Sequence, residues 1–435
     1  MPNAFSKEET VAFENLLAGF EDALVLSKAA NVYQTDQTTM ERSNNVIWRP
    51  QPYIATSIDG TAGSSIAATG FKDYTQLTVP AQINTTKTVS FQMTAMDLRD
   101  ALQEGRLYDA AKQKLASDIN VALLTVAANQ GTLFVKRAAA ATGFDDVAQC
   151  DAIFNEQGVP MYDRYLALST KDYNGMANNL SQASRSFGNA KSDSAYERAL
   201  VGMVSGFETL KLDYSTRKTA AAGGAGITIN TLAGGGNVFV PAATTTSTNG
   251  LVKINVDNRF QVVTVSAVAG VAPGDAFTIA NLEACHHITK TGTGSLKTFR
   301  VIDTPTSDPS LGAAQLRISP PIISAQGGTQ SELMYQNCIN NTPAAGAAIV
   351  FLNTATAAVN PFWQKDALEI LPGRLVVPSN TGVATMQATT ANGLQLTATK
   401  WFDINTNTEK FRVDCLFGVV NKQPEMSGVI LFSQP

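Results

Sequence analysis

At 435 residues the chain has room for two to four domains of roughly 100–200 residues each. Charged residues make up only 16%, and 32 Lys+Arg against 36 Asp+Glu leave a formal charge of −4, which excludes a generally basic reader of nucleic acid. So little charge suits a surface largely covered by other copies of the same chain.

Residues 6–30 carry a rough apolar stripe (Val11, Leu16, Phe20, Ala23, Val25), and Ser6 followed by Glu9 forms a capping box, so a helix is expected. With no evident place in a core, this segment is expected to be ordered by neighbouring copies. Residues 57–96 pass from Gly60, Gly63 and Gly70 into alternating sequence, a two-stranded excursion in which Pro80 marks an edge strand or a break. Residues 97–129 give the clearest helix. Asp97 is its N-cap and Asp100 lies in its first turn, where the dipole favours acid. Leu98, Leu102, Tyr108, Ala111, Leu115, Ile119, Ala122 and Val126 recur at three- and four-residue steps, interrupted only by Gly105. At 1.5 Å per residue it spans about 50 Å, roughly three times a typical globular helix.

Between 144 and 214 short helices alternate with loops. FDDVAQCDAIFNEQGVP is a helix stopped by Gly158 and Pro160, YLALST a buried strand, KDYNGMANNLSQ a helix, and NAKSDSAYERALVG a loop followed by a helix. From 219 a Gly/Ala run leads into short strands, expected at 252–256, 260–265, 276–280, 299–302 and 316–318, a small barrel or sandwich. Gly/Pro-rich joints near 220 and 343 make it an all-β insertion in an α+β host. Helix-bearing sequence is expected to resume at NPFWQKDALEIL, and 393–433 is again β.

The inventory of reactive residues is short. The two histidines, His286 and His287, are adjacent, which weighs against a Ser-His-Asp hydrolase, a zinc hydrolase and a two-histidine iron site. Cys150, Cys285, Cys338 and Cys415 have no CxxC spacing and fit a reducing compartment, as small core residues. The first residues are acidic where a signal peptide needs an apolar run, and no apolar stretch reaches 18–20 residues, so a cytoplasmic chain with no membrane span is expected. ITKTGTGSLKTF at 288–299 lacks the glycine-lysine step of a phosphate loop (Leu296 precedes Lys297) and reads as a hairpin loop. The glycines at 234–236 lack the strand–turn–helix context of a dinucleotide site. Cys285, His286 and His287 are soft donors, but neighbours on a strand face opposite ways, so they read as ordinary barrel or loop residues. Asp145 and Asp146 read as charge at a helix N-terminus. No catalytic, cofactor-binding or metal-binding set emerges, and an enzyme is not expected.

Several segments nevertheless carry a resemblance. MERSNNVIWRP at 40–50 supplies Met40, Arg42, Ser43, Asn45, Ile47 and Trp48, and DLRD at 97–100 supplies Asp97 and Arg99. KINVDNRF at 253–260 contains Asp257, Asn258 and Arg259, and Pro-Gly-Asp follows at 273–275. NPFWQKDALEI at 360–370 contains Trp363, and FGVVNKQPEMSGV lies at 417–429. In this order they resemble the major capsid (coat) proteins of short-tailed double-stranded DNA phages, the family typified by the Salmonella podovirus coat protein. Gln423 and Phe417 stand where that family has Arg and Tyr.

The resemblance implies an α+β, Hong Kong 97-like capsid fold with a long spine helix and an inserted all-β domain. Carried over by position, 1–38 is an N-terminal arm, 39–96 linker and extended loop, and 97–145 the peripheral domain with the spine helix. Residues 146–218 and 346–390 form the axial domain, 219–345 the insertion, and 391–435 a C-terminal β segment of the peripheral domain. It also implies a subunit of pentamers and hexamers in an icosahedral shell, assembled in the host cytoplasm and ending in the virion. Its partners would be a separate scaffolding protein, a portal protein at one vertex and, non-specifically, the packaged DNA, with no membrane and no cofactor. Arg42, Asn45, Trp48, Asp97, Arg99, Asp257, Asn258, Arg259 and Trp363 are the structural or assembly candidates. Asp257 and Arg259, two apart, would share a strand face as a local ion pair, a contact to a neighbour, or plain solvated charges. In the family an acidic loop before the KINVDNRF-like strand meets the next capsomer across the two-fold, and here that stretch, PAATTTSTNG at 241–250, has no charge. Its role is expected to pass to Thr packing and backbone hydrogen bonds, or to the extended loop. A surface-layer lattice protein is the alternative, suggested by the Thr/Gly/Ala-rich β region.

Overall fold

Three six-stranded sheets, each joined from strands far apart in sequence, carry most of the order. The computed structural model describes residues 7–33, 46–51, 74–94, 101–183, 201–223, 226–230, 239–247, 250, 252–304, 314–339, 343, 345–376, 382–390 and 392–435. The chain divides into two units, one of Met1–Ile47, Pro80–Val126 and Leu368–Val420, the other of Trp48–Val79, Ala127–Ala367 and Asn421–Pro435.

Helix α1 (Lys7–Ala23) ends earlier than the stripe suggests, and a 3-10 turn follows at Leu26–Ala29. There Ser27 Oγ donates to the Leu24 carbonyl at 3.0 Å, a local bond that competes with helix continuation. Phe13, Leu16, Phe20, Leu24 and Leu26 are all buried within the chain itself. This corrects the expectation that the segment waits for neighbours in part: Leu16 and Phe20 of the stripe already have a core, while Val11 and Val25 are exposed. Strands β1 (Asn31–Val32), β2 (Val46–Pro50), β3 (Thr78–Gln82) and β4 (Thr85–Thr94) come next. Pro80 lies in β3, in a two-stranded sheet where a missing N–H is tolerated.

Helix α2 (Ala101–Gln130) is 30 residues long, about 45 Å. Its buried face runs Tyr108, Ala111, Leu115, Ile119, Leu123 and Ala127. The face leaves the expected Ala122 and Val126 half-buried, because steps of four gain on a 3.6-residue turn and the stripe drifts round the helix. The proposed N-cap, Asp97, lies outside the described residues.

In the second unit β5 (Leu133–Lys136), α3 (Phe144–Gln157), β6 (Arg164–Ser169) and α4 (Thr170–Ala183) follow one another. Asp146 accepts hydrogen bonds from the backbone N–H groups of Thr142 (2.7 Å) and Gly143 (3.2 Å) at the start of α3 and pairs with Arg137 at 2.5 Å. Gly158 stops the helix in the left-handed region at φ 77°. The loop and helix expected at 189–202 lie largely outside the described residues.

The strands then run β7 (Met203–Val204), β8 (Phe207–Leu212), β9 (Arg217–Lys218), β10 (Thr244–Thr246), β11 (Lys253–Asn255) and β12 (Gln261–Val265). Next are β13 (Ala276–Cys285), β14 (Gly292–Asp303), β15 (Ala314–Ser319), the short helix α5 (Gln330–Tyr335), β16 (Cys338–Ile339) and β17 (Ile349–Phe351). Most of the stretch expected to be a hairpin loop is therefore strand, with the turn confined to the residues before Gly292. The order closes with β18 (Ala357–Ala358), β19 (Asn360–Gln364), β20 (Leu368–Pro372), β21 (Ala384–Thr389), β22 (Gln395–Asp403), β23 (Thr408–Asn421) and β24 (Ser427–Leu431). The helix expected at NPFWQKDALEIL is instead β19 and β20 joined by a 3-10 turn at Lys365–Ala367. Every residue of both strands is buried. A helix on a sheet keeps a wet face, whereas a strand in a covered sheet does not.

The first sheet, in the first unit, has the order β1-β20-β23-β22-β21, with β4 also on β23. Tyr108 of α2 meets Phe411 of β23 edge to face at 4.9 Å. The second has the order β5-β24-β19-β6-β8-β7 and is parallel at β24–β5 and β6–β8. Phe154 of α3 packs on Phe362 (5.0 Å) and Phe207 (5.5 Å). The third, β12-β15-β14-β13-β16 with β17 on β13, closes over Val263, Val265, Phe277, Phe299, Leu316, Ile318 and Ile349. Phe362 is 0% exposed, so Phe362→Ala is expected to cost about 3–5 kcal/mol. A lower urea midpoint at unchanged slope checks this, and an unchanged midpoint would show that the site collapses without penalty.

Candidate assembly hairpin and buried charge junction

The sequence candidates scatter in environment. Arg42, Asn45, Asp97 and Arg99 lie outside the described residues. Trp48 is half-buried on β2. Trp363 is wholly buried on β19 and stacks on Tyr165 at 6.3 Å, so its work is in the core rather than at a surface.

Asp257, Asn258 and Arg259 do come together, in a turn between β11 and β12 rather than on one strand. The Arg259 guanidinium donates to both Asp257 carboxylate oxygens at 2.9 and 2.7 Å and to the Asn421 carbonyl at 2.8 Å. Of the three readings left open for Asp257 and Arg259, the local ion pair forms, in a turn rather than on a shared strand face. Asn258 clamps Ala242, accepting from its N–H (3.1 Å) and donating to its carbonyl (2.9 Å). That clamp fixes the root of the hairpin β10–β11, registered Thr244 to Asn255 and Thr246 to Lys253. All six strand residues are exposed. A lone two-stranded hairpin is marginal in water, so this one is held at its base and presents its edges outward.

A second assembly joins the third sheet to the second through charges that no spacing in the sequence pairs. Lys297, in the middle of β14, is 1% exposed. Its Nζ lies 2.5 Å from Glu425 Oε1 and 3.3 Å from Gln157 Oε1 at the end of α3. His287, in the β13–β14 turn, donates its backbone N–H to the Gln157 carbonyl at 3.2 Å and places Nε2 3.7 Å from Glu425 Oε2. Burial pushes the His287 imidazole down to about 4 against the pull of Glu425. Burial pushes the Glu425 carboxyl up, but Lys297 and His287, with hydrogen bonds from Lys297 and Asn337, outweigh it and hold it below its ordinary range.

Further along β14, Thr298 Oγ1 donates to the Thr132 carbonyl at 2.8 Å and Arg300 to the Ala128 carbonyl. Burial lowers Arg300 to about 10, partly offset by Asp275. Asp275 itself takes Lys218 and Asn353, both at 2.9 Å. Only two parts of this network stand out in sequence: the Pro-Gly-Asp at 273–275 and the Gln-Pro-Glu at 423–425. Lys297 itself falls in the stretch read from sequence as a hairpin loop. Among the described residues no three His, Cys, Asp or Glu side chains are grouped to hold a metal ion, and the four cysteines are free and buried.

The model of the family described as "P22 coat protein - gene protein 5" matches residues 1–433. The chain belongs to that coat protein family. It is a phage major capsid protein. Among solved structures it is similar to one described as Mycobacterium phage Che8, at 9% identity and TM-score 0.45, over 94% of this chain and 90% of that one. It is likewise similar to the capsid structure of cyanophage P-SCSP1u, at 10% and 0.42 over 93% and 86%. The mature capsid of bacteriophage PhiM1 gives 10% and 0.41 over 93% and 85%.

In this coat protein Lys297 and Glu425 are each the other's neutralising partner. Lys297→Met or Glu425→Gln alone is expected to cost about 3–5 kcal/mol, and the apolar double variant Lys297→Met/Glu425→Leu much less than the sum. Urea unfolding of the unassembled subunit gives all three values, and additive losses would mean that the two charges act independently.

Proposed function

We propose that this coat protein builds pentamers and hexamers of an icosahedral shell that encloses double-stranded DNA. It assembles in the host cytoplasm on a separate scaffolding protein, with a portal protein at one vertex and non-specific contact to the packaged DNA. The match over residues 1–433 carries the reading, and the low charge and exposed hairpin support it. The work is mechanical: contacts worth about 25 cal/mol per Å² of apolar area, weak in each pair, add up over a closed lattice. The segment boundaries given above, from arm through insertion to the C-terminal β segment, belong to this proposal, as do Arg42, Asn45, Trp48, Asp97 and Arg99 as assembly residues. Among the described residues no helix is long and apolar enough to cross a membrane. Electron microscopy of purified protein tests the reading. Closed shells of uniform size are expected, and flat sheets or small particles alone would count against it.

The hairpin β10–β11 is our candidate for the contact between capsomers. Thr244, Thr245 and Thr246 offer hydroxyls, methyls and a free strand edge where an ion pair would fade with salt. Shell yield is therefore expected to stay nearly level from low to high ionic strength, and to fall in the Thr244→Ala/Thr245→Ala/Thr246→Ala variant. Assembly followed by light scattering reads both. Salt sensitivity traced to this hairpin would reverse the assignment, and indifference to salt and substitution alike would make it a spectator.

A further inference from the structure

The junction around Lys297 holds a group that neither shell-building nor the ion pair needs. His287 is buried, and its Nε2 has no hydrogen-bond partner. Glu425 Oε2 is 3.7 Å away, beyond hydrogen-bond reach. Glu425 Oε1 is already committed to Lys297. The other ionisable groups facing the site are few. Lys290, in the same turn, donates Nζ to the carbonyls of Met334 (2.7 Å) and Gln336 (3.0 Å). His286 packs over Gly158 at the end of α3. Cys285 and Glu283 lie on β13 and Cys338 on β16, with the Glu283 carboxylate turned to the Gly294 N–H. From α3 the facing side chain is Gln157, which is uncharged.

With His287 neutral, the Glu425 carboxylate already serves Lys297, and Lys290 of the β13–β14 turn adds a second positive charge nearby. A proton on His287 adds a third cation beside that one carboxylate, the other nearby anion, Glu283, being turned to the Gly294 N–H. The rest of the junction is thin. Its polar part is the bonds from β14 and Lys218 described above, with Arg259 on the Asn421 carbonyl and Asn337 on Glu425, and its apolar part is a small cluster of Ala128, Phe134, Ala276, Val359, Val429 and Leu431. The large cores of the second and third sheets share no residue.

We propose that this junction is an acid-operated latch, in which a proton taken up by His287 parts the third sheet from the second while each keeps its own core.

The sign follows from the direction of each shift. His287 is held below its ordinary value of 6.5, at about 4. The closed form thus refuses a proton that the open form accepts, and closure is full above about 6.5 and weakens as pH falls towards 4. Opening should rise about eightfold at pH 5.5 and about 60-fold at pH 4.5 relative to pH 7. Glu425, also lowered, adds its loss only below its ordinary value of 4.5. Lys290, lowered by burial to about 8, and the raised thiols of Cys285 and Cys338 keep their protons throughout the window from 6.5 to 4.5. Of these groups, only His287 takes up its proton across that window.

Hydrogen exchange of the full-length unassembled subunit between pH 7 and 4.5, corrected for intrinsic rates, reads the opening. Peptides covering 286–300 and 421–427 are expected to follow the increase, while those from the interior of the third sheet, 261–265 and 314–319, and from β6 hold their protection. In His287→Gln the response should be flat across the window. A second measurement does not depend on that variant folding. The chain has two histidines, so ring-labelled histidine gives two NMR signals. The closed-state signal of His287 should stay neutral well below pH 6.5. A pH response that survives His287→Gln, a His287 signal titrating at 6.5 without extra exchange at the junction, or opening of both cores together would each overturn the latch.

Discussion

An ammonium group sits in the middle of a strand, with 1% of its residue exposed, and the second unit is arranged around that fact. Lys297 can be there only because Glu425 reaches it from a turn 128 residues further along the chain. Desolvating either charge alone would cost several kcal/mol. The pair therefore fixes which part of the third sheet faces the 424–426 turn, and β14 carries the same logic onward to Thr298 and Arg300. Each of these side chains donates to a carbonyl or carboxylate outside its own sheet, which ties register within a sheet to docking between sheets.

The coat protein's surface follows the opposite rule. Where the interior spends charge, the hairpin β10–β11 carries three consecutive threonines and only one lysine. Its rigidity comes from below, through Asn258 on Ala242 and Arg259 on Asp257 and Asn421. The residues that the family resemblance picked out at 257–259 thus hold the hairpin in position and leave its threonines exposed. In the contact role proposed for the hairpin, so little charge fits many symmetry-related neighbours without repelling any of them.

How much of this could be read from the sequence depends on the range of the interaction. The long helix was legible because its period is local, down to Tyr108, Ala111, Leu115 and Ile119. Its far end was misjudged because the face drifts, so that Leu123 and Ala127 replace Ala122 and Val126. The end of α3 at Gly158 was legible for the same reason. Asn360–Gln364 and Leu368–Pro372 were misread because a run buried on both sides has no period to show, and a Lys-Asp-Ala turn between them looks helical. The N-terminal helix misled in another way. Its stripe was visible, but its burial in its own unit depends on distant partners such as Lys400, which pairs with Glu9. Nothing local marks Lys297, His287 and Glu425 as neighbours, since the fold alone brings them together.

The position of β24 bears on how a subunit comes into being. It lies between β5 and β19, with Gly428 beside Leu133 on one side and beside Phe362 on the other. Everything from α3 to β23 is synthesised between β5 and this strand. While residues 427–431 are still inside the ribosome, the second sheet has a gap, and two strands that will be interior present bare edges. Closing that gap brings together residues separated by most of the chain, which is slow compared with the formation of any helix here. A protein needed in many identical copies is then most exposed to pairing with its own kind in the interval just before β24 inserts. The speed of that single insertion, more than the stability of the finished sheet, would set how many subunits survive to be assembled.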